Sequence, residues 1–239
     1  MIEALPINSS LCILILNFNG SEDTLEAIQS LESQKHLIEK ILILDNASSP
    51  SQRELLGKGL IEYPFCQLIL SEENTGFTGG FNRLFDIATS KCHSEYLLVL
   101  NNDTIASPNL LESLLSEAQP TLILSPMILW HKDQETIIQS AGEFNLDMMK
   151  VDNLFEGQKK HAIAGKNIDI GITDGCCFLL HRKWLEQGFR FDPDFFVYFE
   201  DMDFFLRLKK AGASFRYIAK TTLYHKEYGS SGGREQASS

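Results

Sequence analysis

The chain has 239 residues and a formal net charge of −11. That length allows a full core, and the acidic balance argues against broad nucleic-acid binding, which needs a basic surface. Hydrophobic residues at 44% and charged residues at 22% are ordinary for a soluble globular protein, and no apolar run approaches the ~20 residues that span a bilayer.

In chain order, "LCILIL" (11–16) predicts a buried strand and "SEDTLEAIQSLESQ" (21–34) a helix with Leu25, Ile28 and Leu31 on one face. "KILIL" (40–44) is a second strand, "SQRELLGKG" (51–59) a short helix stopped by glycine, and "CQLIL" (66–70) a third strand. "GFNRLFDIATS" (80–90) reads as a helix, "YLLVL" (96–100) as a fourth strand, and "SPNLLESLLSEAQ" (107–119) as a helix with proline in its first turn. "TLILSPMILW" (121–130) continues the core, and residues 131–170 have only weak periodicity. "CCFLLH" (176–181) is a further strand, "EDMDFFLRLKKAG" (200–212) a helix ended by glycine, and "SFRYIA" (214–219) and "TTLYH" (221–225) are strand-like. Strands apolar on both faces with helices between them predict an α/β fold with a mainly parallel sheet covered on both sides. No linker divides the chain. The expectation is one domain over 1–239, with a nucleotide-binding half at 8–125, an acceptor half at 126–228, and a flexible tail at 229–239 that has little to bury.

In such sheets, ligands bind outside the carboxyl ends of the strands. The segments there are "NFNG" (17–20), "DNASS" (45–49), "SEENTGFTGG" (71–80) and "NND" (101–103), all polar. One such loop is ordinary turn chemistry; four in succession suggest a polar ligand with several separate groups. "ENTGFTGGFN" (73–82) carries no lysine, which excludes a P-loop, and it is not G-x-G-x-x-G. Asp103, ending a buried strand, is a natural ligand for a hard cation, although a lone turn aspartate is more often merely solvated. His225 sits before a Gly/Ser-rich run, which predicts a lid over 225–239. "FFVYFEDMDFF" (195–205) sets Glu200, Asp201 and Asp203 among six aromatics. Helix-dipole stabilisation accounts for acids in a first turn but not for the aromatics around them. The five cysteines include no C-x-x-C pair and predict free thiols in a reducing compartment. The first residues lack a basic region followed by an apolar core, so no signal peptide is expected.

The ordered set "LILNFNG", "ILDNASS", "ENTGFTGGFN", "LLVLNNDT", "TDGCCFLLHRKWLEQG", "FDPDFFVYFEDMDFFLRLKKAG" and "YHKEYGSSGG" resembles bacterial family 2 glycosyltransferases, in the rhamnosyltransferase-like branch, over nearly the whole chain. The resemblance implies the GT-A fold. It places Asn17, Phe18 and Asn19 in the first nucleotide loop, Asp45 on the base, and Asn74, Gly76, Gly80 and Asn82 around the nucleotide and its diphosphate. Asn102 falls among the nucleotide-sugar contacts. Asp103 matches the metal aspartate of the D-x-D signature, here reduced to one carboxylate in Asn101-Asn102-Asp103. His225 matches a second metal ligand for Mg²⁺ or Mn²⁺, and Asp201 the general base with Glu200 beside it. The family usually runs on past the "SSGG" segment with further helices.

The expected activity is inverting, metal-dependent transfer of a sugar from a nucleoside-diphosphate sugar (dTDP-rhamnose or a UDP-sugar) to a hydroxyl of a glycan or lipid-linked glycan of the cell envelope. The expected location is the cytoplasm, with peripheral contact at the inner face of the membrane, and no nucleic-acid partner. Two other readings are a nucleotidyltransferase, which would carry a basic Gly-rich loop near the N-terminus, and a non-catalytic nucleotide-sugar-binding scaffold, which would have lost the acids.

Overall fold

The aliphatic runs of the first half form four neighbouring parallel strands in a computed structural model that describes residues 10–138, 141–145 and 150–226. They are β1 (Leu11–Asn17), β2 (Ile38–Asn46), β3 (Cys66–Ser71) and β4 (Tyr96–Asn101), in spatial order β3-β2-β1-β4. Helices α1 (Ser21–Leu31), α2 (Pro50–Gly59) and α3 (Gly76–Lys91) make the crossovers that parallel strands require. β5 (Thr104–Ala106), α4 (Leu110–Leu115) and β6 (Leu122–Trp130) follow.

The second half departs from a parallel arrangement. β11 (Cys177–His181) inserts between β4 and β6 and is antiparallel to both. β12 (Ser214–His225) runs parallel to β6 but antiparallel to β5 and to β9 (Asn167–Ile170). The sheet is therefore mixed, in the order β3-β2-β1-β4-β11-β6-β12-β5 with β9 on β12. The reason is where the chain re-enters. Asn101 N–H donates to Cys176 O at 2.9 Å, so β11 begins at the carboxyl end of β4 and must run back along it. The two strand-like segments expected at 214–219 and 221–225 are one strand with an irregularity between Ile218 and Thr222. The weakly periodic stretch builds a separate small sheet, β10 (Ile172–Thr173), β7 (Ala141–Asn145) and β8 (Lys150–Asn153). Helices α5 (Lys183–Glu186) and α6 (Glu200–Lys210) also belong to this half.

Alternating strand residues feed two cores, one on each face. Cys12 and Leu14 point to the face covered by Phe81, Leu84 and Phe85 of α3 and by Phe204, Phe205 and Leu208 of α6. Leu11, Ile13 and Ile15 point to the face covered by Ile28 of α1, Leu56 of α2 and Leu110, Leu111 and Leu114 of α4. Both cores draw on residues from the two halves of the sequence. All five cysteines are free thiols, and the buried sulfurs of Cys12 and Cys92 lie 2.7 Å apart.

Helix α3 starts at Gly76, four residues before the expected position, so the glycine-rich stretch is mostly helix. A Cβ on Gly80 would lie 2.4 Å from Leu16 Cδ1; its lack of a side chain lets α3 press on β1. No helix among the described residues is long and apolar enough to cross a membrane. The tail at 229–239, and the expected lid beyond Lys226, lie outside the described residues.

Candidate active site

The polar segments of the first half sit where the strands β1–β4 run out, and these ends are tied to one another. Asn17, the last residue of β1, donates to Asp45 Oδ2 at 2.8 Å and accepts from Gly20 N–H and the Thr24 hydroxyl. Asp45 has no exposed surface; its Oδ1 accepts from Ser48 N–H at 3.1 Å and from Arg53 Nε at 2.9 Å. Arg53 also reaches the carbonyl of Ser71, which joins α2 to the end of β3. Asn46 donates to Asn74 Oδ1 and to Gly76 O, and accepts from Thr75 N–H. Asn102 donates to Gly20 O at 3.2 Å. The four loops form one hydrogen-bonded frame.

Asn102 and Asp103 form the short turn between β4 and β5. Because β5 pairs antiparallel with β12, His225 faces Thr104 in register. That register brings His225 Nε2 to 3.1 Å from Asp103 Oδ1, across 122 residues of sequence. Lys226 fixes the end of β12: its N–H donates to Asp103 O at 2.9 Å and its ammonium pairs with Asp23 and Glu26 of α1.

Glu200 opens α6, as expected, and the turn before it is unusual. Tyr198 and Phe199 both hold positive φ, 73° and 69°, a left-handed backbone that costs about 1–2 kcal/mol for each non-glycine residue. The turn packs against α3. Phe196 O accepts from Phe77 N–H at 2.9 Å and so caps the first turn of that helix. Gly76, at φ +71°, allows this approach, since a Cβ there would stand 2.4 Å from Phe196 O. Asp201 Oδ2 accepts from Gly175 N–H and its Oδ1 from Met202 N–H, each at 2.8 Å. Burial raises the Asp201 pKa, and these two N–H groups partly oppose the shift. Glu200 is 5% exposed and its Oε2 has no hydrogen-bond partner. Burial, with the neighbouring Asp201 charge, pushes its carboxyl up to about 7. Asp203 turns away to pair with Arg207.

These groups converge on one cleft of about 690 Å³. Phe18, Asn74, Gly76, Asn102, Asp103, His225, Glu200 and Asp201 all line it. Asn17, Asn19, Asp45, Gly80 and Asn82 do not. Asn17 and Asp45 stand behind the wall, Asn19 bonds to Ser48 and Ser49, Gly80 packs on Leu16, and Asn82 exchanges two hydrogen bonds with the Phe191 backbone.

Residues 12–189 match the family described as Glycosyl transferase family 2. The chain belongs to glycosyl transferase family 2. It is 26% identical over 205 residues to the low-salt glycan biosynthesis hexosyltransferase Agl10 of Haloferax volcanii, covering 84% of this chain and 62% of that protein. The fold of this family 2 chain is similar to GalNAc-T7 solved with UDP, GalNAc and Mn²⁺ (TM-score 0.72, 13% identity, 94% of this chain and 45% of that one). It is also similar to the mannosyltransferase PcManGT of Pyrobaculum calidifontis in complex with GDP-Man and Mn²⁺ (TM-score 0.64, 14% identity, 95% and 61%). S. aureus TarS 1–349 gives a TM-score of 0.62 at 13% identity, over 90% and 60%. The architecture is thus that of the GT-A glycosyltransferases.

Among the described residues, no group of three or more His, Cys, Asp or Glu is placed to hold a metal ion. The Asp103–His225 pair nevertheless fits a divalent cation that takes its other ligands from a substrate and water: a carboxylate oxygen and an imidazole nitrogen, adjacent at the rim of a cleft. For this family 2 chain, the sequence reading overlooked Asn46, Arg53 and Asp174. Asn46 follows Asp45 directly and links two loops. Arg53 looks like a surface helix residue until α2 is packed. Asp174 reaches the cleft only because β11 starts at the carboxyl edge.

Proposed function

We propose that this chain is an inverting, divalent-metal-dependent glycosyltransferase using a nucleoside-diphosphate sugar. The observation that carries the reading is a single cleft with the Asp103–His225 pair on one wall and the Asp201 carboxylate on the other. The nucleotide lies along Phe18, Asn74 and Asn102, and Asp45 acts through the frame that holds Asn17 and Ser48. Asp201 accepts the proton of an acceptor hydroxyl, whose oxygen bonds to the anomeric carbon as the bond to the diphosphate oxygen breaks and its electron pair leaves with the phosphate. Both Asp201 oxygens already accept one N–H, which fixes the carboxylate and leaves each a lone pair for that proton. Mg²⁺ or Mn²⁺ on Asp103 and His225 would neutralise charge on the leaving diphosphate. Agl10 is a hexosyltransferase of glycan biosynthesis, which supports a hexose-type donor and a glycan acceptor. A lipid-linked glycan acceptor, met at a membrane surface from the cytoplasmic side, is part of the same proposal.

The test is a thermal-shift screen of UDP-, dTDP- and GDP-sugars with and without Mn²⁺. A donor at 100 times its Kd adds about 2.7 kcal/mol to stability. Asp103→Ala should remove the metal-dependent part of that gain. Unchanged donor affinity and metal response in the variant would refute the metal assignment.

A further inference from the structure

A second pocket, of about 350 Å³, opens on the other side of the carboxylate pair. Its walls come from the small sheet, through Gly142, Val151, Asn153 and Thr173, and from the Tyr198–Met202 segment. Asp174, Tyr198, Glu200 and Asp201 line this pocket and the large cleft alike, so the two meet at the acids. Two oxygens of its lining residues are buried without a hydrogen-bond partner: Glu200 Oε2 and Asn153 Oδ1. Glu200 is 95% buried, so its orphan oxygen is not an incidental surface group; Asn153 is half-buried and spends its amide on Glu156, which leaves its oxygen for another donor. A buried polar atom without a partner costs about 1–3 kcal/mol, and native structures keep few of them.

We propose that this pocket is the acceptor subsite and takes one uncharged pyranose ring, whose hydroxyls hydrogen-bond Glu200 Oε2 and Asn153 Oδ1. The inference rests on the glycosyl-transfer reading of the neighbouring cleft. The volume lies at the small end of ligand pockets, on the scale of a single ring. Val151, Ile172, Tyr198 and Phe199 give it an apolar side, which suits the C–H face of a pyranose. The left-handed backbone at Tyr198 and Phe199 is the kind of local strain that persists where a site needs it. The ionisable groups among the described lining residues are Asp174, Glu200 and Asp201 together with the Tyr198 phenol; no Lys, Arg or His is among them. A uronic acid or a phosphorylated sugar would set a second anion against these carboxyls with no cation to offset it. Glu200, protonated below about pH 7, can there donate to one hydroxyl and accept from another.

The experiment is saturation-transfer NMR with methyl pyranosides of neutral hexoses and with methyl glucuronide, run on wild type, Glu200→Gln, Glu200→Leu and Asn153→Leu. UDP- and GDP-sugar binding with Mn²⁺ is measured on the same samples by thermal shift. At least one neutral pyranoside should bind. Glu200→Gln should keep its affinity within about threefold, whereas each leucine variant should lose about tenfold, the worth of one good hydrogen bond. Methyl glucuronide should bind more weakly than methyl glucoside. Absence of any neutral pyranoside signal in wild type, unchanged affinity in both leucine variants, or glucuronide binding as well as glucoside, overturns the proposal. The nucleotide arm keeps the two readings apart: donor binding without pyranoside binding sinks only the acceptor subsite, while pyranoside binding without any donor sinks only the donor assignment.

Discussion

The proposed donor wall and the proposed acceptor wall of the cleft treat their polar groups in opposite ways. On the donor side the side chains of Asn17, Asp45, Asn46 and Arg53 are tied to neighbouring loops and strand ends, and Asp45 has no exposed surface. On the acceptor side Glu200 is almost as buried, yet one oxygen is left unmet. A saturated network is rigid and specifies one geometry, whereas an unsatisfied group is a debt that a ligand can settle. The difference teaches that the fold preorganises one wall and leaves the other with a group unmet, which on the proposed reading the acceptor completes.

The sharpest way to separate the walls is to change chemistry without changing shape. Asp201→Asn should lower turnover by roughly 10²–10⁴, the scale of lost general-base help, while donor binding in the thermal-shift screen stays near wild type. Near-normal turnover would remove Asp201 from the proton transfer. Asp45→Ala tests the saturated wall. It leaves Arg53 Nε and Asn17 Nδ2 without their carboxylate, and breaking such a buried pair costs about 3 kcal/mol, toward the lower end because Arg53 is one-quarter exposed. Urea unfolding measures this directly; a loss below about 1 kcal/mol would mean that the frame does not depend on Asp45.

Glu200→Gln tests the unsatisfied wall, and its sign is opposite. The folded-state pKa of Glu200 is raised from 4.5 to about 7. The protonated side chain therefore contributes stability that is complete below about 4.5 and is lost as pH rises through 7. That loss is roughly 3 kcal/mol in wild type and absent in the glutamine variant. The variant should accordingly gain on wild type as pH rises from 5 to 8 in urea titrations. A constant difference across that range would show that Glu200 is not a buried acid. The last test lies where the walls touch. Gly76→Ala places a side chain at φ +71°, which costs about 1–2 kcal/mol from the backbone, and its Cβ must in addition displace Phe196 O, which it would meet at 2.4 Å. It should also speed hydrogen exchange at the Phe77 amide, whose acceptor is Phe196 O. An unchanged melting temperature and exchange rate would mean that the contact is dispensable.

The donor wall was largely legible in the sequence. Buried strands followed by polar loops place "NFNG", "DNASS" and "NND" on one edge by rule, because every parallel crossover returns the chain to the same end of the sheet. The start of α6 at Glu200 was legible too, since acids favour a first helical turn. Other features depended on packing. The glycines at 76 and 79 read as a loop by propensity, but α3 already begins at Gly76, and position 80 is glycine because Leu16 leaves no room for a Cβ. The antiparallel course of β11 is set by a bond between Asn101 and Cys176, which no periodicity encodes. The small sheet that walls the second pocket comes from a segment whose short strands alternate too weakly to be seen alone. Roles such as Arg53 on Asp45 depend on how a helix is rotated against the sheet, and a surface-like stretch of sequence does not report that.

The cap that Phe196 places on α3 bears on how this protein can diversify. One backbone carbonyl of the acceptor turn is pinned to the first turn of a donor-side helix, so the turn's length is set by the distance it must bridge. The outward side chains at 196–199 are 44–65% exposed and are not needed for that anchor. Substitutions there can alter what the rim presents to an acceptor at little structural cost, while an insertion or deletion between Pro193 and Glu200 would uncap the helix and displace both acids. New acceptor preferences are thus open to this scaffold through residue exchange, and closed to it through change of loop length.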